Sequence, residues 1–264
     1  MPGKAAIVLG NSHLSSVILS LEPRLAEPVA PEDSIQYYVF NTIKHGADFI
    51  WSVDAGESNY VLNPAVGEMA NIRAPRDREK LYISMFGGNA HNVLTLKAHP
   101  KPFDFIVPSR RDLPLDESLE FVTLGYIDDF IRKLAQPYLL HMITLKNYSA
   151  GAEVFHFESP PPVKDNAFIM AHLEDWFKGD PDFTVAAPYL RLKMWLAHSR
   201  IIKELCENIG ITFLPTPPQT QDSEGFLLPE HGRDSTHAGG LFGSAITKNL
   251  EDRLGVKYDG WDWL

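Results

Sequence analysis

Short apolar, β-branched or aromatic runs alternate along the chain with stretches in which apolar residues recur every three to four positions. That pattern predicts an α/β domain built around a mostly parallel sheet. Residues 5–9 (Ala-Ala-Ile-Val-Leu) predict the first strand and residues 14–21 a short helix behind it. Residues 22–34 carry Pro23, Pro28 and Pro31 and read as loop. Residues 35–40 and 48–53 are strand candidates, one of them for the main sheet; residues 81–86 read as a buried strand and residues 103–107 as a run closed by Pro108. Leu119, Val122, Tyr126, Phe130 and Leu134 fall at helical spacing, which predicts a helix over residues 115–136 that Pro137 ends or kinks. Residues 153–157 form the next strand, stopped by Pro160, Pro161 and Pro162. Leu190, Met194, Ile201 and Leu205 share one helical face, Arg191, Lys193, Arg200, Lys203 and Glu207 take the other, and Gly210 stands where a helix C-cap belongs. Residues 211–214 read as the last strand, residues 215–232 as a polar loop and residues 240–254 as the final helix.

Length and charge narrow this picture. One domain spanning residues 1–264 is the expected organisation, long enough for a full core without disulfides or metals. With 24 Lys+Arg against 34 Asp+Glu, the net charge is −10, and no basic cluster offers a surface for nucleic acid or anionic membrane. No apolar stretch approaches the roughly 18–20 residues of a membrane span. The N-terminal run reads as a strand and not a signal peptide, and the single cysteine, Cys206, agrees with a reducing compartment; a cytoplasmic protein is expected. Cys206 sits in a helical pattern beside Leu205 and reads as a small buried hydrophobe. Tyr258, Trp261 and Trp263 crowd the C-terminal tail, where packing back over the domain and an aromatic rim for a ligand are both open.

In an open parallel sheet the ligand crevice lies beyond the carboxyl ends of the strands. Three polar blocks follow strands there: Gly10-Asn11-Ser12-His13, Gly87-Gly88-Asn89-Ala90-His91, and, after a loop, Asp234-Ser235-Thr236-His237. A serine hydroxyl becomes a nucleophile when an imidazole takes its proton, and a carboxylate fixes the imidazole tautomer; Ser12, His237 and Asp234 supply those parts. The Ser12 N–H and the Asn89 side chain are donors for a developing oxyanion. Each block also has a plain structural reading: Asn11 or Ser12 as a helix cap, Gly87-Gly88 as a tight turn with Asn89 bonded to its own backbone, Asp234 and His237 as a surface helix N-terminus. His-Glu-x-x-His, Cys/His clusters, nucleotide loops and Gly-x-Ser-x-Gly are absent, so no metal and no cofactor is expected.

In these residues the chain resembles the SGNH hydrolases, also called GDSL-type lipases and esterases, whose blocks are Gly-Asp-Ser, Gly-x-Asn-Asp and Asp-x-x-His in this order. The resemblance spans nearly the whole chain. It departs at two places, Asn11 for the aspartate before the nucleophile and Ala90 for the aspartate after the asparagine, which marks a divergent member. It implies a three-layer α/β/α sandwich with a flavodoxin-like sheet, Ser12 as nucleophile, His237 as base and Asp234 as its orienting acid. The oxyanion hole would comprise Ser12, Asn89 and a glycine, for which Gly56 is preferred to Gly46. His13, His91 and Gly88 are candidate substrate contacts. The expected activity is hydrolysis of a short acyl ester, such as an acetyl ester or an acylated carbohydrate, through an acyl-Ser12 intermediate. An acyltransferase with a sugar or alcohol acceptor and a non-catalytic binding protein on the same scaffold are the alternatives, and oligomeric state is open.

Overall fold

The computed structural model describes residues 3–26, 28–41, 50–52 and 60–263. The strands are β1 (Lys4–Gly10), β2 (Ser34–Asn41), β3 (Ile50–Ser52), β4 (Tyr60–Leu62), β5 (Glu79–Met85), β6 (Phe103–Asp104), β7 (Glu120–Phe121), β8 (Val154–Phe157), β9 (Thr212–Leu214) and β10 (Lys257–Trp263). The helices are α1 (Leu14–Leu21), α2 (Pro64–Arg73), α3 (Leu124–Tyr148), α4 (Asn166–Ala171), α5 (Asp175–Lys178), α6 (Pro188–Ile209) and α7 (Gly240–Leu254).

Six strands form one sheet in the order β10-β2-β1-β5-β8-β9, with every pairing parallel. Alternate residues of its strands enter two separate cores, as a parallel sheet covered on both faces requires. Ala6, Val8, Tyr37, Val39, Ile83 and Phe155 pack with Leu14 and Val17 of α1 and with Phe242 and Ile246 of α7. Ala5, Ile7, Leu9, Tyr38, Phe40 and Tyr82 pack on the opposite side with Met142 and Leu145 of α3 and with Ile202 and Cys206 of α6. The result is the α/β fold expected from the sequence. Strand order reverses at β1, so the crevice of this topology opens between the carboxyl ends of β1 and β5.

Several expectations need correction. The long helix begins at Leu124, not near residue 115, and runs through Pro137 to Tyr148. Val122 N–H instead bonds the Asp104 carbonyl, Asp116 N–H bonds the Asp104 carboxylate, and Thr123 caps the helix through Tyr126 N–H. Pro137 is exposed, so water can serve the carbonyl its ring leaves unpaired. The buried face is Ile127, Ile131 and Ala135, while Tyr126 is exposed. Residues 103–107 contribute only the two-residue β6, which pairs with β7 outside the main sheet. Of the two strand candidates after α1, β2 joins the main sheet, whereas the part of 48–53 that is described, β3, pairs antiparallel with β4. After β4, Asn63 caps α2 by accepting from Ala65 N–H. β9 is not the last strand: β10 adds the tail to the edge of β2, across a register shift between Tyr258 and Gly260, and Trp261 and Trp263 pack against the core.

The charged face assigned to the 188–209 helix is also not all solvated. Arg191 and Lys193 are each 1% exposed. Lys193 Nζ lies 2.7 Å from Asp104 Oδ1, and that carboxylate also accepts from Phe105 and Asp116 N–H. Removing one member of a buried pair leaves the other uncompensated. Lys193→Met is therefore expected to lower the free energy of unfolding by about 3–5 kcal/mol, read as a lower urea midpoint. An unchanged midpoint would show that the pair contributes nothing. Among the described residues no helix is long and apolar enough to cross a membrane.

Candidate active site

β1 ends at Gly10, opposite Met85 of β5. A Cβ at Gly10 would stand 2.8 Å from both the Met85 Cβ and its carbonyl oxygen, so only glycine lets the strands approach so closely where the chain leaves the sheet. The turn that follows is already helical: Leu14 N–H bonds Asn11 O and Ser15 N–H bonds Ser12 O, both at 3.1 Å. The cap position of α1 falls to His13, whose side chain makes no capping hydrogen bond. The expected capping role of Ser12 is thus not taken up. Ser12 is half-buried at the head of α1, where the positive end of the helix dipole favours negative charge.

β5 delivers the second block. Gly87 has φ +81°, a left-handed turn that glycine adopts without strain, and it swings the chain back over the crevice. Gly88 lies so close to His13 that a Cβ would meet its imidazole at 2.5 Å. Asn89 does not bond its own backbone: its Oδ1 accepts from Asn92 Nδ2 at 2.9 Å, which leaves its Nδ2 facing His237 Nε2 at 3.4 Å.

The third block reaches the same place through α7. A Cβ at Gly243 would lie 1.9 Å from Ser16 O, so this glycine permits α7 to press against α1 and draws residues 234–237 toward the head of α1. Arg233 and Asp234 N–H bond His237 O, closing the turn. Asp234 Oδ1 accepts from Thr236 N at 3.0 Å, His237 N at 2.8 Å and His237 Nδ1 at 2.9 Å, and Oδ2 accepts from Arg233. Burial works against the charge on Asp234, but the His237, Thr236 and Arg233 donors outweigh it and hold the carboxyl well below the ordinary range. Glu174 Oε1 is a second carboxylate oxygen 3.6 Å from His237 Nδ1, and Thr236 Oγ1 lies 3.0 Å from it.

His237, 6% exposed, is therefore held at Nδ1 by an ionised carboxylate while Nε2 faces the crevice. Its ring centroid is 5.0 Å from that of His13. Burial, then the neighbouring His237, lowers the His13 pKa to about 3, so His13 is a neutral wall of the site. No described hydrogen bond joins Ser12 Oγ to His237. His91 is buried against His198, with centroids 5.1 Å apart, and lines a cavity with Asp234 and His237. Gly56 and Gly46 lie outside the described residues. Glu174, Asp234 and His237 also hold their donor atoms within 4.8 Å of one another, a spacing a cation could bridge, but His237 Nδ1 and Asp234 Oδ1 are bonded directly. Cys206 is buried, with its thiol pushed up to about 12 by burial.

The structure thus gathers His13, Gly88, Asn89, Asp234 and His237 at the end of the sheet, with Ser12 in the turn beside them. Asn92 and Glu174 went unanticipated. Asn92 follows Asn89 by three residues, a spacing that marks one helical turn; Glu174 carries no such local signal.

No protein-family model and no curated protein matches the chain. It is similar to solved structures of GDSL-like lipases, esterases and acylhydrolases. An aryl esterase of M. smegmatis is 12% identical with TM-score 0.43, covering 96% of this chain and 98% of that one. A GDSL-like lipase from Bacteroides thetaiotaomicron is 11% identical with TM-score 0.38, over 95% and 88% of the two chains. A carbohydrate acetylesterase from Sinorhizobium meliloti is 13% identical with TM-score 0.37, over 95% and 98%.

Proposed function

We propose that the chain is a divergent SGNH-type serine hydrolase, a single domain that cleaves a small acyl ester through Ser12. The observation that carries this reading is the polarity of His237: Nδ1 is fixed on the ionised Asp234, which leaves Nε2, on the crevice side, as the basic nitrogen. In the first half-reaction Ser12 Oγ gives its proton to His237 Nε2 and attacks the ester carbonyl. The Ser12 N–H and Asn89 Nδ2 hold the oxyanion, and collapse expels the alcohol, which takes the proton back from His237. Water then repeats the sequence on the acyl-Ser12, releasing the acid and restoring the serine. The Ser12–His237 hydrogen bond belongs to the substrate-bound state, since such contacts tighten in the complex.

The test is labelling with a fluorophosphonate followed by intact mass and adduct mapping, with Ser12→Ala and His237→Ala as controls. One adduct on Ser12, abolished in both variants, is expected; a folded wild type that takes no adduct would overturn the reading. The unjoined Ser12 Oγ and His237 favour a second reading, a binding protein on this scaffold, and it predicts that empty result. Transfer of the acyl group to a sugar or alcohol shares the same intermediate and is distinguished by product analysis with added acceptor.

A further inference from the structure

Beside His237 a small cavity, about 20 Å³, is lined by Arg191, His91 and Ser235 together with Asp234 and the Pro160–Pro162 run. That volume admits one or two water-sized groups. We propose that this cavity binds a carboxylate carried by the substrate, so that the site read above as an esterase takes an anionic ester, with the carboxylate held apart from the scissile bond.

Arg191 carries the argument. It is 1% exposed, yet all of its described partners are neutral: Nη1 bonds Asn166 Oδ1 and Ala186 O, and Nη2 bonds Val163 O and Lys164 O. Among the described residues no carboxylate pairs with it. Its Nε–H has no partner. Burial lowers its pKa only to about 10, so the side chain remains a cation at neutral pH. A buried charge without an opposite charge is costly, and carbonyl oxygens satisfy its hydrogens without neutralising it.

Two further atoms agree. His91 Nδ1 and Ser235 Oγ, on residues 2% and 7% exposed, also lack partners. Three orphaned polar atoms on residues that line one cavity are unusual, since buried polar groups are almost always bonded. Water would satisfy the hydrogen bonds but leave the charge. A carboxylate does both: it accepts from the Arg191 Nε–H and the Ser235 hydroxyl, and from His91 in the tautomer with hydrogen on Nδ1. The volume suits a carboxylate head and excludes a sugar ring. His237 also lines this cavity, so a molecule anchored there lies against the proposed base.

The experiment compares monoethyl succinate with ethyl butyrate, esters of equal length that differ in the terminal carboxylate. Binding is measured on the full chain carrying Ser12→Ala, which cannot turn them over, by NMR of the Arg191 Nε–Hε signal. Monoethyl succinate is expected to shift that signal and to bind about tenfold or more tightly than ethyl butyrate, as a charge-assisted hydrogen bond implies. Ser235→Ala, added in the same background, should remove at least about threefold of the preference while the fold persists; Arg191→Met removes the charge but also four structural bonds. Equal affinity for the two esters, an unmoved Arg191 signal, or the same shift from chloride alone at equal concentration would overturn the proposal. Fluorophosphonate labelling of Ser12 without an anionic preference would leave the esterase and remove this inference. An anionic preference without labelling would do the reverse.

Discussion

Replacing Ser12 by alanine is expected to lower the hydrolysis rate of a short acyl ester by about 10⁴-fold or more, because a triad acts as a unit and the residual rate comes only from the oxyanion donors and binding. The fold should not notice. Ser12 is half-buried and its Oγ makes no described hydrogen bond, so the change removes no structural contact, and the melting temperature should move by no more than about 2 °C. Asp234→Asn should be milder. An amide oxygen can still accept from the Thr236 and His237 N–H groups that shape the turn, and Glu174 keeps a carboxylate oxygen near His237 Nδ1. Steady-state kinetics on all three proteins, with thermal melts as the control for folding, decide this. Equal rates for wild type and Ser12→Ala would exclude acyl-Ser12 chemistry, and a lower rate in Asp234→Asn than in Ser12→Ala would exclude the assigned roles.

What the sequence disclosed here follows the range of the interactions. α1 and α7 fall on their expected residues because amphipathic spacing and flanking turns are local signals. The Asp234–His237 pair is equally local, two ends of one turn. The extent of α3 is not legible in the apolar spacing because Asp104, far along the chain, claims the backbone before Thr123 and because Pro137 is exposed to solvent. Arg191 and Lys193 look solvated in any helical projection; their burial depends on carbonyls near residues 163 and 186 and on the Asp104 carboxylate. β10 escaped notice since its aspartates and Gly260, at φ +139°, disguise a parallel edge strand. At the site, the contacts of Asn89 with His237 and of His13 with Gly88 and His237 depend on the crossing of β1, β5 and α7, which no single segment encodes.

Acid should unfold this protein well above the range in which carboxylates titrate. His13, His156 and His198 are buried at 6%, 3% and 2% exposure, and burial, the dominant cause for each, lowers their pKa values to about 3, 3 and 4. In the unfolded chain each returns to about 6.5. Above pH 6.5 both states hold these rings neutral, and stability is flat with respect to them. Below it the unfolded state binds protons that the folded state refuses, so stability is lost as pH falls from about 6.5 toward 3–4. Each histidine contributes about 1.4 kcal/mol per pH unit in that window, and three together about 4, enough to exhaust the roughly 5–15 kcal/mol of an ordinary domain within a few pH units. Asp234 acts in a separate window: its lowered pKa stabilises the fold above the ordinary carboxyl value and is lost only at more acid pH. Urea midpoints measured from pH 8 to 4.5 should therefore hold level to about 6.5 and then drop steeply. His156 bonds Ser84 Oγ through Nδ1 and stacks on Phe213, so His156→Gln supplies a non-titrating side chain there and should reduce that slope by about 1.4 kcal/mol per pH unit. A midpoint unchanged between pH 6.5 and 4.5 would mean that these rings accept protons inside the fold, and His13 could then no longer stand as a neutral wall beside His237.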